Sequence, residues 1–273
     1  MKFHRLLTVA SVMLVAPFVS ARAEIQHAAI EYEHAGDVLE GHLYWDDARA
    51  NAQKEAPGVV VCPEWWGTTQ YPRDRARQLA ELGYVAFAID MYGKGLTTDD
   101  AEVAKKLSGA VMGDLEYLRG RARAGYDVLA ARAEVDKGRI AAVGYCMGGT
   151  VALELARSGA DLDAIVVMHA SQLLARGDDK SALADNARIR GTLTVCHGLD
   201  DGFVPAADLP KFHAQMKAAK VDYQFAAYAG AQHAFTNPDA DRHEIPGVAY
   251  HAKADARSFE LMKSSLAEAF GRR

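Results

Sequence analysis

Cysteine is scarce in this chain: only Cys62, Cys146 and Cys196 occur among 273 residues. Three thiols are an odd number and far too few for the disulfide framework that stabilises small secreted domains. Cys62 and Cys196 both end apolar, strand-like runs, where a buried and unreactive thiol is the usual outcome. Packing must therefore hold the fold together, and we assign no chemistry to these two cysteines.

Long apolar runs are also missing, with one exception at the start of the chain. Residues 1–23 combine basic residues with an apolar stretch at 6–19, interrupted by Pro17, and end in Ala-Arg-Ala. This order is typical of a secretory signal peptide, and the run is shorter than the roughly 20 residues that span a bilayer. The sequence predicts cleavage after Ala23 and a mature protein without a membrane anchor, secreted into a bacterial periplasm or out of the cell.

No block of like charges stands out. The formal net charge is −5 at pH 7 and is spread along the chain, so the basic footprint of a nucleic-acid or anionic-membrane binder is absent. We expect a small-molecule partner, and no pattern indicates an oligomeric state. The length after the leader fits one α/β domain with a single large core, which predicts a single domain over residues 24–273.

The chain does contain short β-branched runs that alternate with helical stretches. Apolar runs without polar alternation are typical of parallel strands buried on both faces. The segments 28–36 and 40–47 alternate instead, which predicts an antiparallel hairpin. The sequence thus predicts an α/β fold whose mostly parallel central sheet is flanked by helices and has an antiparallel N-terminal edge. The predicted buried strands cover residues 58–62, 84–90, 139–145, 164–169, 192–197 and 222–228.

Residues 91–137 form a longer connection than one crossover helix needs. Apolar residues recur at helical spacing over 101–118, which predicts two helices and a loop that can roof a pocket. Charged residues on a helix usually face solvent, but four cations here are candidates for binding a substrate carboxylate: Lys105, Lys106, Arg119 and Arg121.

The segment Gly-Tyr-Cys-Met-Gly-Gly at 144–149 lies between a predicted strand and a predicted helix. It matches the Gly-x-nucleophile-x-Gly elbow, with cysteine in the place of serine. Because the nucleophile sits in a strained tight turn, the residues two before and two after it must be small, as Gly144 and Gly148 are. The following helix directs the positive end of its dipole at Cys146 and favours the thiolate. Cys146 is the candidate nucleophile.

This elbow requires an acid and then a histidine later in the chain. Asp200 and Asp201 follow a predicted strand and would emerge at the carboxyl edge of the sheet, where such folds bind ligands. His233 follows the last strand at the same edge and is the candidate base. His169 and His197 also end strands and are candidates to line the pocket, but packing at the strand ends explains them equally well. The histidines follow no tight zinc pattern, and we expect neither a metal nor a cofactor.

Several segments together resemble the dienelactone hydrolase family of α/β-hydrolases, over nearly the whole mature chain. The resemblance implies an α/β-hydrolase that cleaves a small ester or lactone, as carboxymethylenebutenolidases do, through a Cys-His-Asp triad and a thioester acyl-enzyme, without a cofactor. A carboxylesterase or thioesterase of the same fold with a different small substrate is the alternative, because it shares these motifs. The matching segments are 62–67, 73–84, 90–93, the elbow, 201–205 and 232–235.

The resemblance also implies the residues of the triad. Cys146 and His233 match the catalytic cysteine and histidine. Asp201, which stands three residues before the valine of a Val-Pro pair, matches the acid, with Asp200 as the alternative. Members from the chlorocatechol pathway carry an arginine four residues after the histidine, where this chain has Asn237. That difference leaves the hydrolytic residues in place but argues against dienelactone itself as the substrate.

Three further positions follow from the same resemblance. The backbone amides of Trp65 and Met147 match the donors of the oxyanion hole. Glu64 matches a glutamate that contacts the nucleophile in the resting enzyme and moves aside when substrate binds, which makes it a modulator of Cys146. An ion pair of Glu64 with Arg73 or Arg75 is the alternative, because burial would otherwise raise the pKa of this carboxyl.

Overall fold

The structure is a computed structural model that describes residues 24–46 and 55–271. The predicted leader, residues 1–23, lies outside the described residues. The strands are β1 Ile25–His34, β2 Asp37–Asp46, β3 Ala56–Cys62, β4 Val85–Ala88, β5 Val135–Tyr145, β6 Ala164–Met168, β7 Thr192–Gly198 and β8 Tyr223–Tyr228. The helices are α1 Gln70–Glu81, α2 Ala101–Gly113, α3 Leu115–Ala130, α4 Met147–Arg157, α5 Asp179–Asn186, α6 Asp208–Ala218 and α7 Ala252–Gly271, with a 3-10 turn at Ala240–His243.

All eight strands form one sheet, in the order β1-β2-β4-β3-β5-β6-β7-β8. β1 and β2 are an antiparallel hairpin at one edge, and β2 pairs antiparallel with β4. Every other pair in the sheet is parallel. The predicted sheet, mostly parallel with an antiparallel N-terminal edge, is confirmed.

Apolar side chains fill both faces of the parallel strands. In β3, Val60 and Cys62 join the core on one face, whereas Val59 and Val61 join the core on the other. Helices α3, α4 and α6 cover the first face, and α1 and α7 cover the second. Burial on both sides is why these strands are continuous apolar runs in the sequence. No described helix is long and apolar enough to cross a membrane.

Helices α2 and α3 form the predicted connection between β4 and β5. Only Asp114 separates them, and its side chain accepts the Tyr117 N–H at 3.0 Å and caps α3. On α3, two of the cations considered for a substrate carboxylate are engaged with acidic side chains. Arg119 pairs with acidic side chains of α4 and α5, and the buried Arg121 pairs with Asp37. Neither arginine lines the cavity that contains Cys146, which is described below.

The turn between β5 and α4 is held by close backbone contacts. Cys146 has φ 55° and ψ −120°, a backbone conformation that residues other than glycine rarely adopt. A Cβ on Gly144 would lie 1.9 Å from the carbonyl oxygen of Gly148, and a Cβ on Gly148 would lie 2.1 Å from the carbonyl oxygen of Cys62. The steric requirement predicted for both glycines is confirmed.

We expect Gly144→Ala to destabilise the protein by about 3 kcal/mol or more, because backbone atoms must move to admit the methyl group. For a chain of this length the melting temperature should fall by roughly 6–12 °C, which differential scanning calorimetry measures. Gly109→Ala is the matched control, since a Cβ there meets nothing within 4 Å and alanine favours the helix. A Gly144→Ala protein that melts within about 2 °C of the wild type would contradict the packing argument.

Candidate active site

A cavity of about 320 Å³ opens at the carboxyl ends of the parallel strands. Its walls include Glu64 and Trp65, which follow β3, Cys146 and Met147, which follow β5, and His233, which follows β8. Parallel strands bring their carboxyl ends to one edge of a sheet, so residues far apart in sequence meet here. Helix α2 forms the roof through residues that include Lys105 and Met112.

Three of the predicted site residues form a continuous hydrogen-bonded row. The His233 Nε2 lies 3.0 Å from the Cys146 Sγ, and the His233 Nδ1 lies 2.8 Å from an Oδ2 of Asp201. The other carboxylate oxygen of Asp201 accepts the Phe203 N–H at 2.9 Å, which fixes the carboxylate. Asp201 is buried, whereas Asp200 is exposed. Of the two aspartates considered from the sequence, the structure places Asp201 at the histidine.

The His233 ring is enclosed by aromatic and charged neighbours. Phe203 stacks on it with the ring centroids 4.4 Å apart, and His169 meets it edge-on at 5.6 Å. Burial alone lowers the pKa of His233, but the charge of Cys146 and the hydrogen bonds to Asp201 and Cys146 raise it to about 10. The imidazolium is therefore the favoured form of His233 at neutral pH.

His169 takes part in the site, although packing at a strand end explains its place in the sequence equally well. Its Nδ1 accepts the Cys146 N–H at 3.1 Å, and its Nε2 lies 2.6 Å from the Thr236 Oγ1. Burial first, and then the charge of His233, lower the pKa of His169 well below its ordinary value. A neutral ring with the proton on Nε2 fits both contacts, so His169 connects the elbow to the loop that carries His233.

The two predicted oxyanion donors belong to different segments of the chain, one after β3 and one at the start of α4. The Met147 amide belongs to the first turn of α4, where N–H groups have no acceptor within the helix. The carbonyl of Glu64 accepts the Gly67 N–H at 3.1 Å. Because this peptide bond is trans, the Trp65 N–H points away from Gly67. Both amides belong to residues of the cavity wall.

Glu64 is 1% exposed, and its Oε2 accepts a hydrogen bond from the Asn237 Nδ2 at 2.7 Å. Burial raises the pKa of Glu64 to about 7, against the opposing effects of the Asn237 hydrogen bond and the His233 charge. In this structure the carboxyl group thus binds Asn237, while the thiol of Cys146 binds His233.

The arginines considered as partners of Glu64 are engaged elsewhere. The Arg73 Nε donates to the Thr68 carbonyl at 2.8 Å, and Arg75 pairs with Asp255 at 2.5 Å. Neither arginine forms an ion pair with Glu64 in the described part of the chain, so that alternative is wrong. The position of the expected family arginine is filled by Asn237, a neutral donor to Glu64.

The remaining cysteines stay outside the site. Cys62 and Cys196 are both fully buried, and burial raises the pKa of each thiol, that of Cys196 to about 12. Both therefore remain protonated at neutral pH. Over residues 24–46 and 55–271, no three His, Cys, Asp or Glu side chains are grouped so that they could hold a metal ion.

Comparison with known proteins identifies the family of the chain. The chain matches the model of the dienelactone hydrolase family over residues 47–270. An uncharacterized protein of Caenorhabditis elegans is 32% identical over 154 residues, which cover 56% of this chain and 94% of the relative. A Bradyrhizobium protein named "Probable 2-oxo-3-(5-oxofuran-2-ylidene)propanoate lactonase" is 28% identical over 191 residues, 69% of this chain and 77% of the relative.

Two solved structures are similar over nearly all of their length. One, named m3DLH, is 41% identical with a TM-score of 0.83, covering 90% of this chain and 98% of the other. A dienelactone hydrolase-like promiscuous phosphotriesterase from metagenomic libraries is 37% identical with the same TM-score and coverage. Because the family match spans residues 47–270 and the solved relatives cover nine-tenths of the chain, the protein belongs to the dienelactone hydrolase family and is a carboxylic ester hydrolase.

Proposed function

We propose that the protein hydrolyses a small ester or lactone through a thioester formed on Cys146, with His233 as proton carrier and Asp201 as the acid that orients it. The observation that carries this proposal is the unbroken row from Asp201 through His233 to the Cys146 Sγ, at 2.8 and 3.0 Å, in the wall of the cavity. A nucleophile, a base and an orienting carboxylate within hydrogen-bond reach are the requirements of covalent acyl transfer.

In the first half-reaction the thiolate attacks the ester carbonyl carbon. The carbonyl oxygen becomes an oxyanion and accepts hydrogen bonds from the backbone amides of Trp65 and Met147. In comparable sites each such donor stabilises the transition state by roughly 2.7–4 kcal/mol. The tetrahedral adduct collapses, the C–O bond breaks, and the His233 imidazolium gives its Nε2 proton to the leaving alkoxide. The products are an alcohol, or the opened ring of a lactone, and a thioester on Cys146.

In the second half-reaction the neutral His233 removes a proton from water. The resulting hydroxide attacks the thioester carbonyl, and the thiolate leaves as the carboxylic acid forms. Asp201, hydrogen-bonded to Nδ1, keeps Nε2 directed at the reacting atoms and stabilises the imidazolium that is restored. No cofactor enters either step.

The chemistry of a thiol nucleophile favours small esters and lactones over peptides. An amide nitrogen is a poorer leaving group than a thiolate, whereas an enol ester or lactone oxygen leaves readily. Of the four cations considered from the sequence, Lys105 is the one that lines the cavity. Together with the name of the Bradyrhizobium lactonase, this supports a substrate that carries an anionic group. Turnover of a panel of nitrophenyl esters, thioesters, lactones and dienelactones separates these substrates from those of a general carboxylesterase or thioesterase.

Phosphotriesters are a second candidate class of substrate. The observation in their favour is the 37% identity to a promiscuous phosphotriesterase of the same fold. Hydrolysis of a nitrophenyl dialkyl phosphate by the purified protein, compared with hydrolysis of a nitrophenyl ester, tests this candidate directly.

We also propose that the protein is exported. The order of basic, apolar and small residues in 1–23 supports a cleaved leader. Mass spectrometry of the protein recovered from a periplasmic fraction would show an N-terminus at Glu24. Recovery of the full-length chain from the cytoplasm alone would contradict export.

Cys146→Ala should reduce ester hydrolysis to less than about a hundredth of the wild-type rate, because loss of the nucleophile in comparable triads costs far more than that. Cys62→Ala and Cys196→Ala are the controls. They should keep most of the activity and melt at a lower temperature, since both thiols are packed in the core. A larger residual rate in a folded Cys146→Ala protein would count against a thioester intermediate, which intact-mass analysis of the wild type should detect.

Asp201→Asn should lower kcat by about a hundredfold or more, because an amide no longer holds His233 in the productive tautomer or balances its charge. Asp200→Asn should change kcat by less than about twofold, since the exposed Asp200 is fixed only through its backbone N–H to Ala231 at 3.0 Å. Steady-state kinetics of both variants on one ester decide the matter. A greater loss of kcat in Asp200→Asn than in Asp201→Asn would identify Asp200 as the acid.

If Glu64 modulates the site, the stability of the folded protein should depend on pH up to about 7. Its pKa is about 7 in the folded protein, against an ordinary 4.5, so the folded state binds more protons between these values. Glu64 therefore stabilises the fold below about pH 4.5, and that contribution, about 3 kcal/mol, is lost as the pH rises through 7. Glu64→Gln has no such proton, so its melting temperature should rise relative to the wild type by roughly 6–12 °C between pH 4.5 and 8.

The same variant tests the effect on the thiolate. The rate of Cys146 alkylation by iodoacetamide should show an inflection near pH 7 in the wild type, because the Glu64 carboxylate then places a second negative charge in the cavity wall. Glu64→Gln should lack this inflection. Glu116→Gln, at an exposed position on α3, is the control. Melting and alkylation profiles that run parallel in Glu64→Gln and the wild type would reduce Glu64 to a packing residue.

A further inference from the structure

Tyr92, on the loop after β4, is buried behind the cavity and has no part in the two half-reactions. Its backbone N–H is held by an Oδ1 of Asp90 at 2.8 Å, and the residue is 7% exposed. The hydroxyl donates to the carbonyl oxygen of Trp65 at 2.8 Å and contacts the Met147 Sδ at 3.4 Å. One hydroxyl group thus touches both residues whose amides are the proposed oxyanion donors.

The direction of the Trp65 N–H depends on the Tyr92 hydrogen bond, because the carbonyls on both sides of this amide are held in place. The carbonyl of Glu64, on the N-terminal side of the Trp65 amide, accepts the Gly67 N–H at 3.1 Å. The carbonyl of Trp65 itself, on the other side, accepts the Tyr92 hydroxyl. With both peptide planes fixed, the direction of the Trp65 N–H is fixed as well.

We propose that Tyr92 is a positioning residue of the oxyanion hole, which it aligns by fixing the Trp65 peptide and the Met147 side chain. The proposal rests on the proposed function, since it needs an oxyanion on a Cys146 adduct. Tyr92 is absent from the cavity wall, whereas Trp65 and Met147 form part of it. It therefore acts through these two residues and not on the substrate.

The Tyr92 hydroxyl keeps its proton at neutral pH. Burial first, and then the charge of Cys146, raise the pKa of Tyr92 well above its ordinary value. The group is therefore a permanent donor, and formation of the thiolate only strengthens that state. Removing the hydroxyl would leave the Trp65 carbonyl without this donor and free the adjoining peptide to rotate.

Tyr92→Phe tests the proposal. Loss of a whole oxyanion donor costs about 100- to 1,000-fold in kcat, and a donor that is present but misaligned should cost less, about tenfold. We expect kcat and kcat/KM for a nitrophenyl ester to fall together by this factor with KM unchanged, as for an interaction made only in the transition state. Binding of a trifluoromethyl ketone, whose thiol adduct carries an oxyanion, should weaken by the same factor.

Alkylation of Cys146 separates positioning from a general disturbance of the site. Attack of the thiolate on iodoacetamide occurs at a saturated carbon and forms no oxyanion, so Tyr92→Phe should be alkylated within about twofold of the wild-type rate. That result also shows that the variant is folded around an intact thiolate. Tyr126→Phe is the matched control, because the Tyr126 hydroxyl on α3 likewise donates to a backbone carbonyl, that of Asp161, at 3.1 Å. It should keep wild-type kinetics in every assay.

Two outcomes would overturn the proposal. A wild-type kcat in Tyr92→Phe would show that the oxyanion hole needs no support from this hydroxyl, while the triad would stand. An equal loss of esterolysis and alkylation would show that Tyr92 acts on the thiolate and not on the oxyanion donors. Failure of the proposed function is a different result, namely a Cys146→Ala protein that still hydrolyses the ester.

Discussion

The backbone of Cys146 is the constraint on which the rest of the site depends. A non-glycine residue at φ 55° and ψ −120° stores strain of order 1–3 kcal/mol, which surrounding packing must maintain. Here β5, α4 and the end of β3 meet so closely that neither Gly144 nor Gly148 has space for a Cβ. The thiol and the Met147 amide are consecutive groups of this one turn. Any relaxation of the turn therefore moves the proposed nucleophile and a proposed oxyanion donor together.

The strained turn is tied to the base by a second set of contacts. The Cys146 N–H is shared between the Met168 carbonyl at 3.0 Å and the Nδ1 of His169 at 3.1 Å, and His169 continues to Thr236, three residues after His233. This path works only while His169 is neutral, because an imidazolium has no acceptor nitrogen. Burial and the neighbouring His233 charge keep it neutral. The positive charge of His233 thus helps to preserve the hydrogen bond from the Cys146 N–H to His169.

Local patterns in the sequence were enough to predict the sheet and the elbow. Burial on both faces produces continuous apolar runs, and the turn at Cys146 demands glycine at fixed spacing, so each leaves a mark within a few residues. The choice of Asp201 over Asp200 needed a family resemblance, because neighbouring loop residues point in different directions and no periodicity reports which. The role of His169 was missed for a related reason. Its partners, Cys146 and Thr236, lie 23 and 67 residues away.

Asn237 shows how one substitution alters the electrostatics of the site. A cation beside Glu64 would favour the carboxylate and lower its pKa, whereas the neutral amide at 2.7 Å offsets only part of the cost of burial, and the pKa stays near 7. Glu64 thus titrates near neutral pH in the same cavity wall that contains Cys146. The neutral side chain of Asn237 therefore leaves the charge of this wall sensitive to pH near 7.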